Sequence, residues 1–133
     1  MANRNFQSHD RNGYTQGVVD VECSVIMQGT GAPTGMRGNG VASVAYVTTG
    51  VFLVTLSDGF RYVIRKDASV EDLASGSSPD GAYATVSPAL NEATAGTPIS
   101  FNVYTRAAGG TLTNYTGRRL EFTAVLKNSS VGI

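Results

Sequence analysis

Val41-Ala-Ser-Val-Ala-Tyr-Val-Thr-Thr-Gly-Val-Phe-Leu-Val-Thr-Leu-Ser57 is the stretch that decides the fold. Two runs of β-branched and aromatic residues, Val41–Val47 and Val51–Ser57, flank Thr48-Thr49-Gly50, and such a pair joined by a short Gly-containing link reads as a β-hairpin. Downstream, Asp58-Gly59 is a second turn signal before Phe60–Lys66 (FRYVIRK), so the three runs are expected to form a β-meander. Upstream, Val18–Met27 alternates cleanly. Val19, Val21, Cys23, Val25 and Met27 fall on one face, with Asp20, Glu22 and Ser24 on the other, which marks a half-buried antiparallel strand. Gly29–Gly40, with five glycines and Pro33, reads as a long irregular loop.

The second half of the chain repeats the pattern. Ile99–Thr105 places Ile99, Phe101 and Val103 inward and Ser100, Asn102 and Tyr104 outward. Arg119–Lys127 places Leu120, Phe122, Ala124 and Leu126 on one side and Glu121, Thr123, Val125 and Lys127 on the other. A short strand is expected through Ala82–Val86, after the turn Pro79-Asp80-Gly81 and before Pro88 and the loop Asn91–Pro98. Another loop runs from Gly109-Gly110 to Gly117. Asp67–Ser78 is the one stretch that could hold a helical turn, ended by Gly76. About seven strands with Gly- and Pro-rich turns, and no long amphipathic helix between them, predict an all-β antiparallel sandwich or partly open barrel. No repeat of 20–50 residues is visible. Residues 14–133 form the expected domain, and residues 1–13, polar apart from Phe6, read as an extended N-terminal arm.

Composition narrows the function. Of 133 residues, 41% are hydrophobic and 15% charged, against about 25% charged in ordinary soluble domains. Ten basic and ten acidic residues cancel, which argues against nucleic acid as a partner, since phosphate neutralisation supplies much of that affinity. Low charge removes repulsion between copies and favours a protein partner. The lone Cys23 sits in an apolar run and reads as a small buried hydrophobe. With no internal disulfide possible, assembly in a reducing cytoplasm is expected. No apolar run reaches the roughly 18 residues of a membrane helix, and the polar start lacks the apolar segment of a signal peptide.

Chemistry is thinly signalled. The single histidine, His9, lies in the arm, where a fold cannot hold it as a catalytic base. A zinc site needs several Cys or His ligands, and the chain offers one of each. Asp20 and Glu22 share a strand face, but such pairs on solvent-facing strands are usually solubilising. Gly29–Gly35 has neither phosphate-loop spacing nor a helix after it. No catalytic residue, cofactor, metal or small-molecule substrate is therefore expected. Arg61, Arg65 and Lys66 cluster on one run, with Arg61 and Arg65 sharing a face with Val63, and they read as a salt-bridged surface or subunit contact. Arg118-Arg119 and the six tyrosines suit an interface. The glycosylation patterns at Asn114-Tyr115-Thr116 and Asn128-Ser129-Ser130 are explained by chance in a chain so rich in Asn, Ser and Thr.

Three places carry a resemblance to a family of small tailed-phage virion proteins. They are Gly29-Thr30-Gly31-Ala32-Pro33-Thr34 before the hairpin, the hairpin Gly40-Val41-Ala42-Ser43-Val44 with Thr49–Asp58, and the ending Val125-Leu126-Lys127-Asn128-Ser129-Ser130-Val131. They span about a third of the chain and leave Asp67–Pro98 unmatched. The resemblance implies a capsid decoration, or cement, protein. Such a protein binds the major capsid protein and copies of itself, expected as a homotrimer, on the virion surface after assembly in the host cytoplasm. Contact residues are expected at Arg4, Phe6 and Arg11 of the arm, Met36 and Arg37 of the glycine-rich segment, and Arg61, Arg65, Tyr115 and Arg118. The alternatives are a tail, neck or fibre-base module, or a carbohydrate-binding sandwich. The absence of Trp counts against the latter.

Overall fold

A computed structural model describes residues 18–57, 62–71, 80–92 and 97–127. Eight strands follow in chain order: β1 (Val18–Gln28), β2 (Gly31–Gly38), β3 (Val41–Thr48), β4 (Val51–Leu56), β5 (Tyr62–Val70), β6 (Tyr83–Val86), β7 (Ser100–Arg106) and β8 (Thr116–Lys127). They form two four-stranded antiparallel sheets, ordered β2-β1-β8-β5 and β3-β4-β7-β6. No helix occurs among the described residues. The all-β sandwich expected from alternation is what the chain adopts, with one strand more than anticipated.

Each sheet turns one face inward, and the residues that do so are those a period of two selects. In the first sheet, Val21, Cys23 and Val25 of β1 stand opposite Ala124, Phe122 and Leu120 of β8. All six are buried. In the second, Phe52 and Val54 of β4 stand opposite Val103 and Phe101 of β7, again buried. The layers meet where Phe101 packs edge-to-face on Phe122, ring centroids 6.2 Å apart at 85°. Each fully buried Phe, Leu, Ile or Met contributes about 1.5–3 kcal/mol, so this seam is the main source of cohesion.

The β3–β4 hairpin is closed by Thr49-Gly50, where Gly50 takes φ +69°, a conformation a β-branched residue adopts only with strain. Gly50 is also tied to the rest of the fold. Its carbonyl accepts from the Thr105 N–H at 2.8 Å, and its N–H donates to Asn114 Oδ1 at 2.9 Å.

Five expectations are corrected. Gly29–Gly40 is not an irregular loop: Gly31–Gly38 pairs with β1 from Gln28↔Gly31 to Cys23↔Gly38, with two register shifts. Backbone pairing alone makes this strand, since seven of its eight residues are exposed. The meander also fails. β5 leaves β4 and pairs with β8 in the opposite sheet, while β7 takes the place beside β4. Asp67–Val70 belongs to β5, not to a helical turn. Finally, Val63 and Arg65 do not share a face. A register shift between them turns Val63 onto the core and leaves Arg65 in solvent, with Ile64 54% exposed at the irregularity. Lys127, expected on the open side of β8, is buried at the strand's end.

Candidate interaction surface

The two outward faces of the sandwich differ in chemistry. On the first sheet, β1 presents Asp20, Glu22 and Ser24, β8 presents Arg119, Glu121, Thr123 and Val125, and β5 presents Arg65, Asp67 and Ser69. A shallow depression runs among Asp20, Glu22, Arg65, Thr123 and Val125. Arg65 Nε lies 3.5 Å from Asp67 Oδ2, both side chains 69% exposed. Such a pair contributes little to stability. Arg119 Nη1 donates to Ser24 Oγ at 2.9 Å. This face is a mixed-charge, solvated surface.

The second sheet is different. Outward from β3, β4 and β7 stand Ser43, Ala45 and Val47, then Val51, Leu53 and Thr55, then Asn102, Tyr104 and Arg106. Their inward neighbours are the core residues named above. The register sets Ala45 beside Leu53, Leu53 beside Asn102, and Val51 beside Tyr104. No carboxylate stands among these nine positions, and the single cation is engaged. Arg106 Nη1 donates to Gly110 O at 2.9 Å and Nε to Thr85 Oγ1 at 3.3 Å, with the guanidinium 5.6 Å from the Tyr104 ring centre. Val47 is 54% exposed. A strand that is apolar on both faces, as β4 is, is expected where both faces are covered.

The candidate residues read from sequence fall in three groups. Arg4, Phe6, Arg11 and Arg61 lie outside the described residues, as do His9, the Asp58-Gly59 turn and Asn128–Ser130. Met36 and Arg37 are exposed on β2, with Met36 at 50%. Arg65 pairs with Asp67 as described. Tyr115 and Arg118 are brought together and turned inward: the Arg118 guanidinium sits 4.5 Å over the Tyr115 ring and pairs with Asp80. They fasten this chain to itself. Sequence reading passed over Ala45, Val47, Val51 and Leu53. The signal was present in Val51–Leu56, where apolar residues occupy odd and even positions alike.

Cys23 is buried and free of a disulfide, and burial pushes its thiol pKa up, so it behaves as core. Asn114, in one glycosylation pattern, donates from Nδ2 to the Tyr46 hydroxyl at 3.2 Å and is spent inside the fold. Among the described residues no group of three or more His, Cys, Asp or Glu converges to hold a metal. Nor does any buried side-chain nitrogen or oxygen lack a partner. Comparison with protein-family models, with curated proteins and with solved structures finds no match to this chain.

Proposed function

We propose that this chain is a non-enzymatic structural protein of a tailed-phage particle, a decoration protein that docks on the major capsid protein and on copies of itself. The observation that carries this reading is the carboxylate-free outer face of the β3-β4-β7-β6 sheet, set against the charged face of its partner sheet. Interface cores are depleted in charge and enriched in aromatic and apolar groups, and this face offers Ala45, Val47, Val51, Leu53 and Tyr104. The rigid sandwich behind it holds that surface in one shape, so little ordering cost opposes association.

The role follows from the geometry of a shell. A protein lying across capsomer joints opposes their separation through its own binding energy. An interface of about 1,600 Å² supports affinities from micromolar to picomolar, and many copies act together. Exposed Met36, a flexible and polarizable side chain suited to an adaptable contact, and Arg37 stand on β2, the edge of the other sheet, and offer a second contact. The residues that carry the phage resemblance support the same reading. Their described members lie in the β1–β2 turn and the start of β2, in the β3–β4 hairpin and in the last residues of β8.

The test is quantification and imaging of the protein on purified particles. A head-wide array supports decoration, whereas a single ring at the neck or tail would move the protein to another virion part. Leu53→Glu and Val51→Glu variants should lose particle occupancy while retaining the β circular dichroism spectrum. Deletion of residues 1–13 should also weaken occupancy. Full occupancy by both charged variants would remove the outer face from the interface.

A further inference from the structure

The four strands at the sheet margins are protected unequally. An edge strand offers a row of backbone donors and acceptors to any other strand, and native proteins blunt it with Pro, charge, irregular pairing or brevity. β2 carries Pro33, three glycines and Arg37, and its register with β1 shifts twice in its interior. β5 carries Arg65, Lys66 and Asp67 and a register shift, and its Val63 N–H is taken by the Glu92 carboxylate at 2.7 Å. β6 is four residues long. β3 lacks the charge, the Pro and the brevity, and its irregular pairing spares its centre. Its eight residues, VASVAYVT, contain no charge and no Pro. Its two register shifts with β4 fall near the ends and leave Ser43–Tyr46 regular.

We infer that β3 is a seam at which two copies of this chain join, antiparallel across a two-fold axis. This concerns how copies meet one another and does not rest on the decoration reading. The argument for a second copy, rather than a foreign strand, is charge. A two-fold interface sets the same patch against itself, so any charge near the axis faces its own copy and like charges repel. β3 is neutral over its whole length, and so are its outward neighbours Val51, Leu53 and Thr55, so self-pairing meets no such penalty. A charged peptide would find no counter-charge. Ser43 and Ala45 are small and exposed, so a second strand can approach without displacing bulky side chains. The joined sheets would run continuously as β6-β7-β4-β3 with β3-β4-β7-β6 of the second copy, which doubles the uncharged outer face. Edge pairing alone buries less than a standard interface of about 1,600 Å², so the dimer should dissociate in the micromolar range or above.

Sedimentation of the full chain over a concentration series tests the seam. The expected result is a monomer–dimer equilibrium that Ser43→Lys and Ala45→Lys each weaken at least tenfold with an unchanged circular dichroism spectrum. Should the lysine variants misfold, Ala45→Cys supplies a second measurement. Near the axis it should cross-link into a covalent dimer on mild oxidation, while buried Cys23 stays reduced. A trimer, as the phage resemblance implies, would overturn the seam. So would a monomer up to about 1 mM, or a dimer indifferent to both lysines and without a cross-link at position 45.

Discussion

Asp80 and Arg118, 38 positions apart, meet as a two-pronged pair. Arg118 Nη1 donates to Asp80 Oδ1 at 3.0 Å and Nη2 to Oδ2 at 2.5 Å. The Arg118 side chain is only 13% exposed, stacked over Tyr115, whose hydroxyl donates to the Arg106 carbonyl at 3.1 Å. Asp80 also accepts from the Ala82 N–H at 3.3 Å. The start of β8 in one sheet is thereby fastened to the entry of β6 in the other.

That pair should make stability depend on pH in one direction. Hydrogen bonds from Arg118 hold the Asp80 carboxyl below its ordinary pKa. A carboxylate whose pKa is depressed by folding stabilises the native state above its unfolded-state value, and the contribution is lost as pH falls through the folded value. Thermal melts of the parent and of Asp80→Asn should therefore differ most at neutral pH. The gap should narrow once pH drops below the usual aspartate range and close below the folded pKa. A gap that does not change with pH would mean the pair contributes geometry without charge.

Two glycines separate strain from space. Gly38 ends β2 at φ +130°, and a Cβ there would fall 2.0 Å from the Glu22 carbonyl oxygen and 2.7 Å from the Cys23 Cα. Both obstacles are backbone of β1 and cannot step aside. Gly117 takes φ +80° with nothing within 4 Å of the corresponding position. Gly117→Ala should therefore cost about 1–2 kcal/mol, the conformational penalty alone. Gly38→Ala should cost clearly more and detach β2 from β1. Urea denaturation measures the difference, and hydrogen exchange localised to β2 identifies its place. Equal losses would mean that β2 relaxes freely away from β1.

These positions also show what alternation can and cannot reveal. β1, β7 and β8 were legible because burial of one face imposes a period of two on their side chains, and β4 because a β-branched and aromatic run follows a short Gly-containing link. β2 was not, because a strand exposed on both faces obeys no such constraint and its glycines read as turns. Membership in a sheet is set by distant partners: Phe60–Lys66 announces a strand, but nothing local says that β8 will pair with it while β7 claims β4. Asp67 and Glu71 suggest a helix start, yet pairing of Val70 with Leu120 carries Val70 into the core and overrides that preference. The candidate surface was half visible. Its residues stood in the apolar run Val51–Leu56, but only the sheet order gathers them into one face without carboxylates.

Cys23 offers a probe of opening. Its side chain is 5% exposed between Val21 and Val25, and burial raises its pKa, so thiolate is scarcer than in a free cysteine at the same pH. Labelling by a thiol reagent in native buffer should be slow and should follow opening of β1 from its neighbours, then become rapid in denaturant. Variants that loosen β2, such as Gly38→Ala, should accelerate it, since β2 borders Cys23 at the Cys23↔Gly38 pair. Immediate labelling of the native protein would contradict the packing of β1.

Asn114 latches the loop before β8 onto the β3–β4 turn, and its two atoms do different work. Oδ1 accepts from the buried Gly50 N–H at 2.9 Å, and Nδ2 donates to the Tyr46 hydroxyl at 3.2 Å. Tyr46 in turn packs edge-to-face on Phe52, centroids 5.8 Å apart. Asn114→Ala orphans the Gly50 N–H in the interior, which should cost about 1–3 kcal/mol, whereas an ordinary hydrogen bond lost at an exchangeable partner costs about 0.5–1.5. Asn114→Asp keeps the acceptor for Gly50, and the Tyr46 hydroxyl can rotate to donate to the new carboxylate, so its loss should be small. Tyr46→Phe should fall between the two. Midpoints of urea unfolding at constant slope give the ranking. If Asn114→Ala unfolds with the parent, the Gly50 N–H is reaching solvent, and the turn is held by the Thr105–Gly50 backbone bond alone.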